Sequence, residues 1–204
     1  MRFISFLTGD EMATDVSREQ LLSELYSKIK KCSKCSELVA YRKQAVPGVG
    51  NPKAEIMFVG EAPGADEDRQ GFPFVGKAGQ LLNRLLEKIG LHRDDVYIAN
   101  ILKCRPPENR EPQPVEIDNC REYLHAQITL IRPRLICTLG NPALKTLIDP
   151  SLTIGKVHGQ VLRKNGLVFF PIYHPAAALH QGKTLNELVG DFEALQKYIR
   201  TEIS

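Results

Sequence analysis

The sequence predicts an α/β fold with three layers, α/β/α, around a central, mainly parallel four-stranded sheet. Three observations predict it. Short apolar runs alternate along the chain with longer segments whose apolar residues recur at helical spacing. The first such run, "AEIMFVG", is apolar almost throughout, as expected of a strand covered on both faces. Loops rich in Gly, Pro and charge follow the runs, at the strand ends where open α/β sheets build their sites.

Each element has its own warrant. "SREQLLSELYSKIKKC" places Leu21, Leu22, Leu25 and Ile29 at helical spacing, with Ser17 as the expected N-cap. "AEIMFVG", from Ala54, is a buried strand ended by Gly60. "KAGQLLNRLLEKIG" is an amphipathic helix closed by Gly90. "DVYIANI" is the second strand, and a Pro-rich loop separates it from the helix "PVEIDNCREYLHAQITLI", with Pro114 in its first turn. "RLICTLG" is the third strand and "NPALKTLI" a short helix. "VHGQVLRKNGLVFFPIYHP" holds a hairpin turn at "KNGL" between two extended runs. "LNELVGDFEALQKYIR" closes the chain as a helix.

The totals bound the function. With 204 residues, 43% of them hydrophobic, the chain can bury one substantial core, and residues 1–204 read as a single domain. It has no repeat period and no low-complexity run. A net charge of +3 neither demands nor forbids nucleic acid. The apolar patch in "MRFISFLTGDEM" is too short for a signal peptide or a membrane span, so a cytoplasmic protein is expected. Five cysteines, an odd number, argue against a disulfide scaffold and for metal binding, catalysis or burial.

Cys137, inside "RLICTLG", reads as a core residue. Cys32 and Cys35 form a C-x2-C pair, while Cys104 follows the second strand and Cys120 sits sixteen positions on, in a helix. Two compact pairs would signal structural zinc. The wide second pair is also tolerable for an iron–sulfur cluster, which is larger than one ion. Unrelated thiols are the bland account. A redox pair is disfavoured because Cys32 and Cys35 end a basic helix and do not follow a strand. Spacing leaves zinc and cluster open.

Three loops carry the unusual residues. "GEAPGADEDRQGFPFVGKAG", Gly60 to Gly79, has five glycines and lacks both the phosphate-loop hydroxyl and G-x-G-x-x-G. In it Phe74 is either a tucked core aromatic or a stacking platform for a flat ligand. "NILKCRPPENREPQP" begins at Asn100, whose amide donates and accepts at once and so can match a base edge; a turn role is the plain alternative. Lys103, Arg105 and Arg110 add positive charge there, by surface solvation or for a phosphate backbone. "YHPAAAL" sets His174 at a strand end, where a lone histidine is otherwise most often structural.

The motifs "GEAPG…GFPFVGKAGQLLN", "NILKCRPPENR" and "HPAAAL", with four cysteines in this order, resemble the family 4 uracil-DNA glycosylases, a branch of the uracil-DNA glycosylase superfamily that carries a [4Fe–4S] cluster. The resemblance runs from Cys32 to the C-terminus, leaving residues 1–16 as an N-terminal extension. It implies hydrolysis of the N-glycosidic bond of deoxyuridine flipped out of DNA, with release of uracil and an abasic site. It implies that Phe74 stacks on the base, Asn100 bonds N3–H and O4, and His174 faces O2, where charge builds as the bond breaks. Gly60 and Glu61 would line the base site, Glu61 either crowding a thymine methyl or acting on the sugar side, where a carboxylate stabilises oxocarbenium charge.

The resemblance also marks departures. The best-known branch of the superfamily offers an Asp to orient water, and Ala62 stands there in this sequence. Glu61, Glu67 and Asn109 are the candidates for that task. A DNA wedge is a Leu in many members; Ala178 and then Leu179 occupy this region, so Leu179 is the candidate. Cys32, Cys35, Cys104 and Cys120 match the cluster ligands, the cluster being structural. The implied partner is uracil-containing DNA, double- or single-stranded, met by a monomer with no membrane attachment. Two rivals share the motifs: a non-catalytic iron–sulfur DNA-binding protein on the same fold, and a zinc-stabilised nucleotide-binding module.

Overall fold

The apolar runs Ile56–Gly60, Tyr97–Asn100, Leu135–Leu139 and Leu167–Ile172 lie side by side and pair in parallel. Helices return the chain between them, which parallel pairing requires. The computed structural model describes residues 13–179 and 182–203. In chain order the elements are α1 (Ala13–Lys30), α2 (Ser36–Tyr41), β1 (Val49–Gly50), β2 (Ile56–Gly60), α3 (Ala65–Gln70), α4 (Lys77–Lys88), β3 (Tyr97–Asn100), α5 (Pro114–Ile131), β4 (Leu135–Leu139), α6 (Gly140–Leu147), α7 (Ile154–Val157), β5 (Leu162–Lys164), β6 (Leu167–Ile172), α8 (Pro175–Ala178) and α9 (Gly182–Glu202).

The three-layer architecture is as expected, but the sheet has six strands and not four, in the order β1-β3-β2-β4-β6-β5. The two additional strands are antiparallel edges. β1 is two residues long, in a Pro/Gly segment with no apolar run to mark it. β5 has one half-buried and two exposed residues, as suits an edge. The hairpin forms at Asn165 and Gly166, both at positive φ (50° and 78°), the geometry that favours Asn-Gly.

Side chains alternate across the central strands. Phe58, Ile98, Cys137 and Phe170 pack with Leu82, Leu86, Leu188 and Phe192 of α4 and α9. Met57, Val59, Tyr97 and Ile136 pack with Leu22, Leu124, Ile128 and Leu144 of α1, α5 and α6. Cys137 is a core residue, as expected. α1 begins at Ala13, so Ser17 lies in its second turn and is not its cap; extending a formed helix by a turn costs little, and Ser17 is exposed. Of the 1–16 extension, residues 1–12 lie outside the described residues and 13–16 belong to α1. Among the described residues no helix is long and apolar enough to cross a membrane.

β2 and β4 are neighbours, yet the chain leaves β2 toward β3 and leaves β4 toward β6. Such a switch opens a crevice at the carboxyl ends of the strands. Gly60 pairs with Asn100 at that end, and His174 follows β6 there.

Candidate functional site

The crevice holds a cavity of about 160 Å³ lined by Ala62, Gly64, Glu67, Phe74, Asn100 and His174, together with Ala78 and Ala176. Its size is below the roughly 300 Å³ at which drug-sized pockets begin, and suits one small ring. The three loops singled out in the sequence therefore meet. Of the expected site residues, Phe74, Asn100, His174 and Glu67 reach the wall. Glu61 and Asn109 are not among its lining residues, and Leu179 is 40% exposed just past α8.

Gly60 ends β2 because nothing larger fits: a Cβ there would stand 2.6 Å from both Asn100 Oδ1 and Phe74 Cζ. Phe74 is buried with a left-handed backbone, φ 54°. That conformation costs a bulky residue roughly 1–2 kcal/mol and persists only where its surroundings hold it. Its ring is 5.6 Å from the His174 ring, tilted by 34°.

Asn100 is 2% exposed, and its Oδ1 is buried without a hydrogen-bond partner. A buried unpaired acceptor costs about 1–3 kcal/mol, so it asks for a ligand donor. Its backbone carbonyl accepts from Lys103 Nζ at 2.8 Å.

His174 is half-buried, and its Nδ1 accepts from the backbone N–H of Ala176 at 3.1 Å. Burial lowers its pKa to about 4. The ring is therefore neutral above that value, and with Nδ1 accepting, its proton sits on Nε2 as a donor. Gly140, at φ 83°, comes close beneath it: a Cβ there would be 3.0 Å from His174 Cβ.

Glu67 uses both carboxylate oxygens on backbone N–H groups, Oε2 on Gly64 and Oε1 on Val75 and Gly76. It laces the first loop together from inside the cavity wall. Glu61 is half-buried, and burial, with Glu111 adding repulsion, raises its carboxyl above the usual carboxylate range. Asn109 Oδ1 accepts from Arg105 Nε at 2.9 Å.

The basic loop differs from expectation. Lys103 is 1% exposed and bonds Asn100 O and Gln127 Oε1, so it faces neither solvent nor phosphate. Arg110 forks onto Glu116 and also meets Glu37. Arg105 lies over the Tyr41 ring.

Cys32 and Cys35 flank the turn between α1 and α2, Cys104 follows β3 and Cys120 lies in α5. All four join one apolar cluster with Ile29, Leu38 and Tyr123. N–H groups reach three of the sulfurs: Arg42 Nη1 to Cys104 at 2.6 Å, Lys103 N to Cys120 at 3.3 Å and Asn119 Nδ2 to Cys35 at 3.5 Å. Burial raises the Cys104 thiol and pushes Cys120 up to about 11. Among the described residues no three of His, Cys, Asp and Glu are grouped so as to hold a single metal ion. Four thiols in apolar surroundings, with donors aimed at the sulfurs, fit an iron–sulfur cluster, whose ligands stand further apart than those of one ion.

The residues missed in the sequence are supports. Arg93 holds the carbonyls behind Phe74, and Gly79 leaves room for one of them. "HRDD" and the helix glycine carry no local sign of those contacts.

Residues 47–196 match the model of the uracil DNA glycosylase superfamily. The chain is 46% identical over 190 residues to a type-4 uracil-DNA glycosylase of Saccharolobus solfataricus, covering 89% of this chain and 88% of that one. It is 45% identical over 182 residues to the type-4 enzyme of Archaeoglobus fulgidus, covering 85% and 91%. With that of Thermotoga maritima the identity is 41% over 190 residues, covering 91% and 98%.

Proposed function

The chain belongs to the uracil DNA glycosylase superfamily, and from that membership we propose that it is a uracil-DNA glycosylase of base excision repair. It acts as a monomer in the cytoplasm on uracil in double- or single-stranded DNA. The observation that carries the reading is the buried, unpartnered Oδ1 of Asn100 at the wall of a cavity sized for one ring.

The flipped uracil lies against Phe74. Asn100 Oδ1 accepts from N3–H and its amide donates to O4. Cytosine offers an acceptor at N3 and a donor at N4, so both contacts turn repulsive and a buried polar pair is left unmet. As the bond between C1′ and N1 breaks, electrons move onto the uracil ring, and the Nε2–H of His174 meets the charge at O2. A neutral donor suits this step because it stays in place at physiological pH. Water adds to C1′ and gives up a proton, which reaches the departing uracil anion through solvent, so the products are the abasic sugar and neutral uracil. Of the three candidates for handling that water, Glu67 has both oxygens bound to the loop and Asn109 is held by Arg105. We therefore assign Glu61 to the sugar side, where its ionised form stabilises the developing positive charge. Leu179, exposed at the far end of the short helix that His174 caps, is the residue we assign to fill the vacated stack.

Cys32, Cys35, Cys104 and Cys120 would hold a [4Fe–4S] cluster. When bound, it supplies a structural tie between α1, the loop after Asn100 and α5.

The test is direct. Cluster-loaded protein, brown and with iron and acid-labile sulfide in equal amounts, is mixed with a uracil-containing oligonucleotide in EDTA and then treated with hot alkali. Strand breaks at uracil, and none at cytosine, are expected. Intact strands from brown protein overturn the glycosylase reading. A colourless preparation with one bound zinc overturns the cluster.

A further inference from the structure

Phe74 is held by contacts from within its own loop and by one side chain from outside the three loops that form the cavity. Its φ is 54°, and its own carbonyl and that of Pro73 are both hydrogen-bonded. Both carbonyls are taken by one side chain. Arg93 donates from Nη1 to Phe74 O at 3.0 Å and to Asn83 Oδ1 of α4 at 3.2 Å, and from Nη2 to Pro73 O. Arg93 opens the short 3-10 turn before β3, at the opposite end of that strand from Asn100. The guanidinium thus spans from the far end of the strand to the backbone beneath the cavity's aromatic wall.

The same peptide is clamped from its other side. A Cβ on Gly79 would stand 1.9 Å from Phe74 O, so α4 packs directly on that carbonyl. On the ring side, a Cβ on Gly60 would meet the ring edge at 2.6 Å. Two glycines therefore set how near the Phe74 peptide and ring can come, while Arg93 is the attractive contact that keeps the peptide there. A planar fork with several fixed donors can hold two successive carbonyls at once, which a flexible ammonium cannot.

We propose that Arg93 is a positioning residue for base recognition, fixing the height and tilt of the Phe74 ring through the Pro73 and Phe74 carbonyls. Arg93 touches no substrate; it acts only through Phe74. The inference rests on the uracil-excision reading above. Its consequence is that the flat base meets a preset surface, and the strained backbone stays strained when the cavity is empty.

A double-mutant cycle tests it. Single-turnover excision, affinity for uracil-containing DNA and inhibition by free uracil are measured for wild type, R93M, F74A and the double variant, all cluster-loaded. R93M is expected to slow excision by about 10- to 100-fold, the cost of a displacement near 1 Å at a reacting centre. Inhibition by uracil should weaken with it, and DNA affinity should hold. In the F74A background, R93M should add less than about a twofold loss, because residues acting as one unit are not additive. R93K, keeping the charge and N–H donors but not the planar fork, should recover part of the rate, and it carries the same cycle should R93M melt early. A rate for R93M equal to wild type overturns the inference, as does a full additional loss in the F74A background. Absence of excision by the wild type is a different result: it removes the glycosylase reading itself.

Discussion

His174 shows how one backbone contact selects a chemical role. The Ala176 N–H occupies Nδ1, so the neutral ring has a single free donor, Nε2–H. Burial keeps it neutral down to about pH 4. Removing a donor of this kind costs about 10²–10³ in rate. H174A should therefore lose activity on that scale while DNA affinity stays within about twofold; equal loss of both would contradict a role confined to the transition state. The depressed pKa also has a stability sign. The unfolded chain takes up a proton near the ordinary value of 6.5, the folded one only near 4. The contribution to stability is thus complete above 6.5 and is lost as pH falls between these values. H174Q should flatten that slope in melting curves. Activity on the acid side should fail earlier, as Glu61 takes a proton above the usual carboxylate range. Phe74, Asn100 and His174 were legible in sequence because Asn100 and His174 stand at strand ends and Phe74 in the Gly-rich segment that follows one, each with a side chain suited to a base. Arg93 and Lys103 were not. Arg93 bonds two backbone carbonyls and Asn83, and Lys103 one backbone carbonyl and Gln127; a carbonyl is advertised by no residue identity, and the side-chain partner of Lys103 is remote in sequence.

Elements were legible where burial dictates sequence. β2, β3 and β4 are buried at every position, so apolar runs marked them. The edge β1 is held by pairing to a neighbour and has no apolar run, so nothing marked it, while β5 was marked only as the first arm of the hairpin at "KNGL" and left out of the strand count. α3 is another case. "ADEDRQ" resembles a solvated acidic turn, yet Asp68 is 2% exposed. Its Oδ1 and Oδ2 accept from the Lys43 N–H at 2.9 and 3.0 Å, and Oδ1 from that of Gln44 at 3.4 Å. This carboxylate fastens the segment after α2, just beyond Cys35, to the helix carrying Glu67. D68A removes the charged acceptor shared by the Lys43 and Gln44 N–H groups, a cost of about 1.5–3 kcal/mol. A urea midpoint lowered to match is expected, and D68N should fall between D68A and wild type. No change in D68A would mean that the link is made by packing alone.

At the scale of the whole molecule, the sheet and an N-terminal arm made of α1, α2 and residues 42–47 meet through one polar chain. Tyr26 of α1 bonds Tyr97 of β3 at 2.6 Å; Gln127 of α5 donates to Tyr97 at 2.9 Å and to Pro47 O at 2.8 Å. Lys103 completes it, joining Gln127 at 2.7 Å to the Asn100 carbonyl at 2.8 Å. The four cysteines occupy the neighbouring apolar cluster, with Arg42 bridging Cys104 Sγ and Cys32 O. Losing the proposed cluster should therefore free the arm first and reach the cavity through Lys103, leaving the strands intact. In C104S, hydrogen exchange should quicken in α2 and in residues 42–47, and then around Asn100, while β2 and β4 keep their protection. The arm buries Leu22, Ile29, Leu38, Ala45 and Val46, fewer apolar side chains than the sheet and its covering helices, so without the sulfur tie it should open before them. Uracil excision should fall even though the base-contacting residues are unchanged, because the Asn100 carbonyl loses a fixed anchor. Uniform loss of protection across the sheet would show that the cysteines support the whole fold. Unchanged exchange in the arm would show that apolar packing holds it without them.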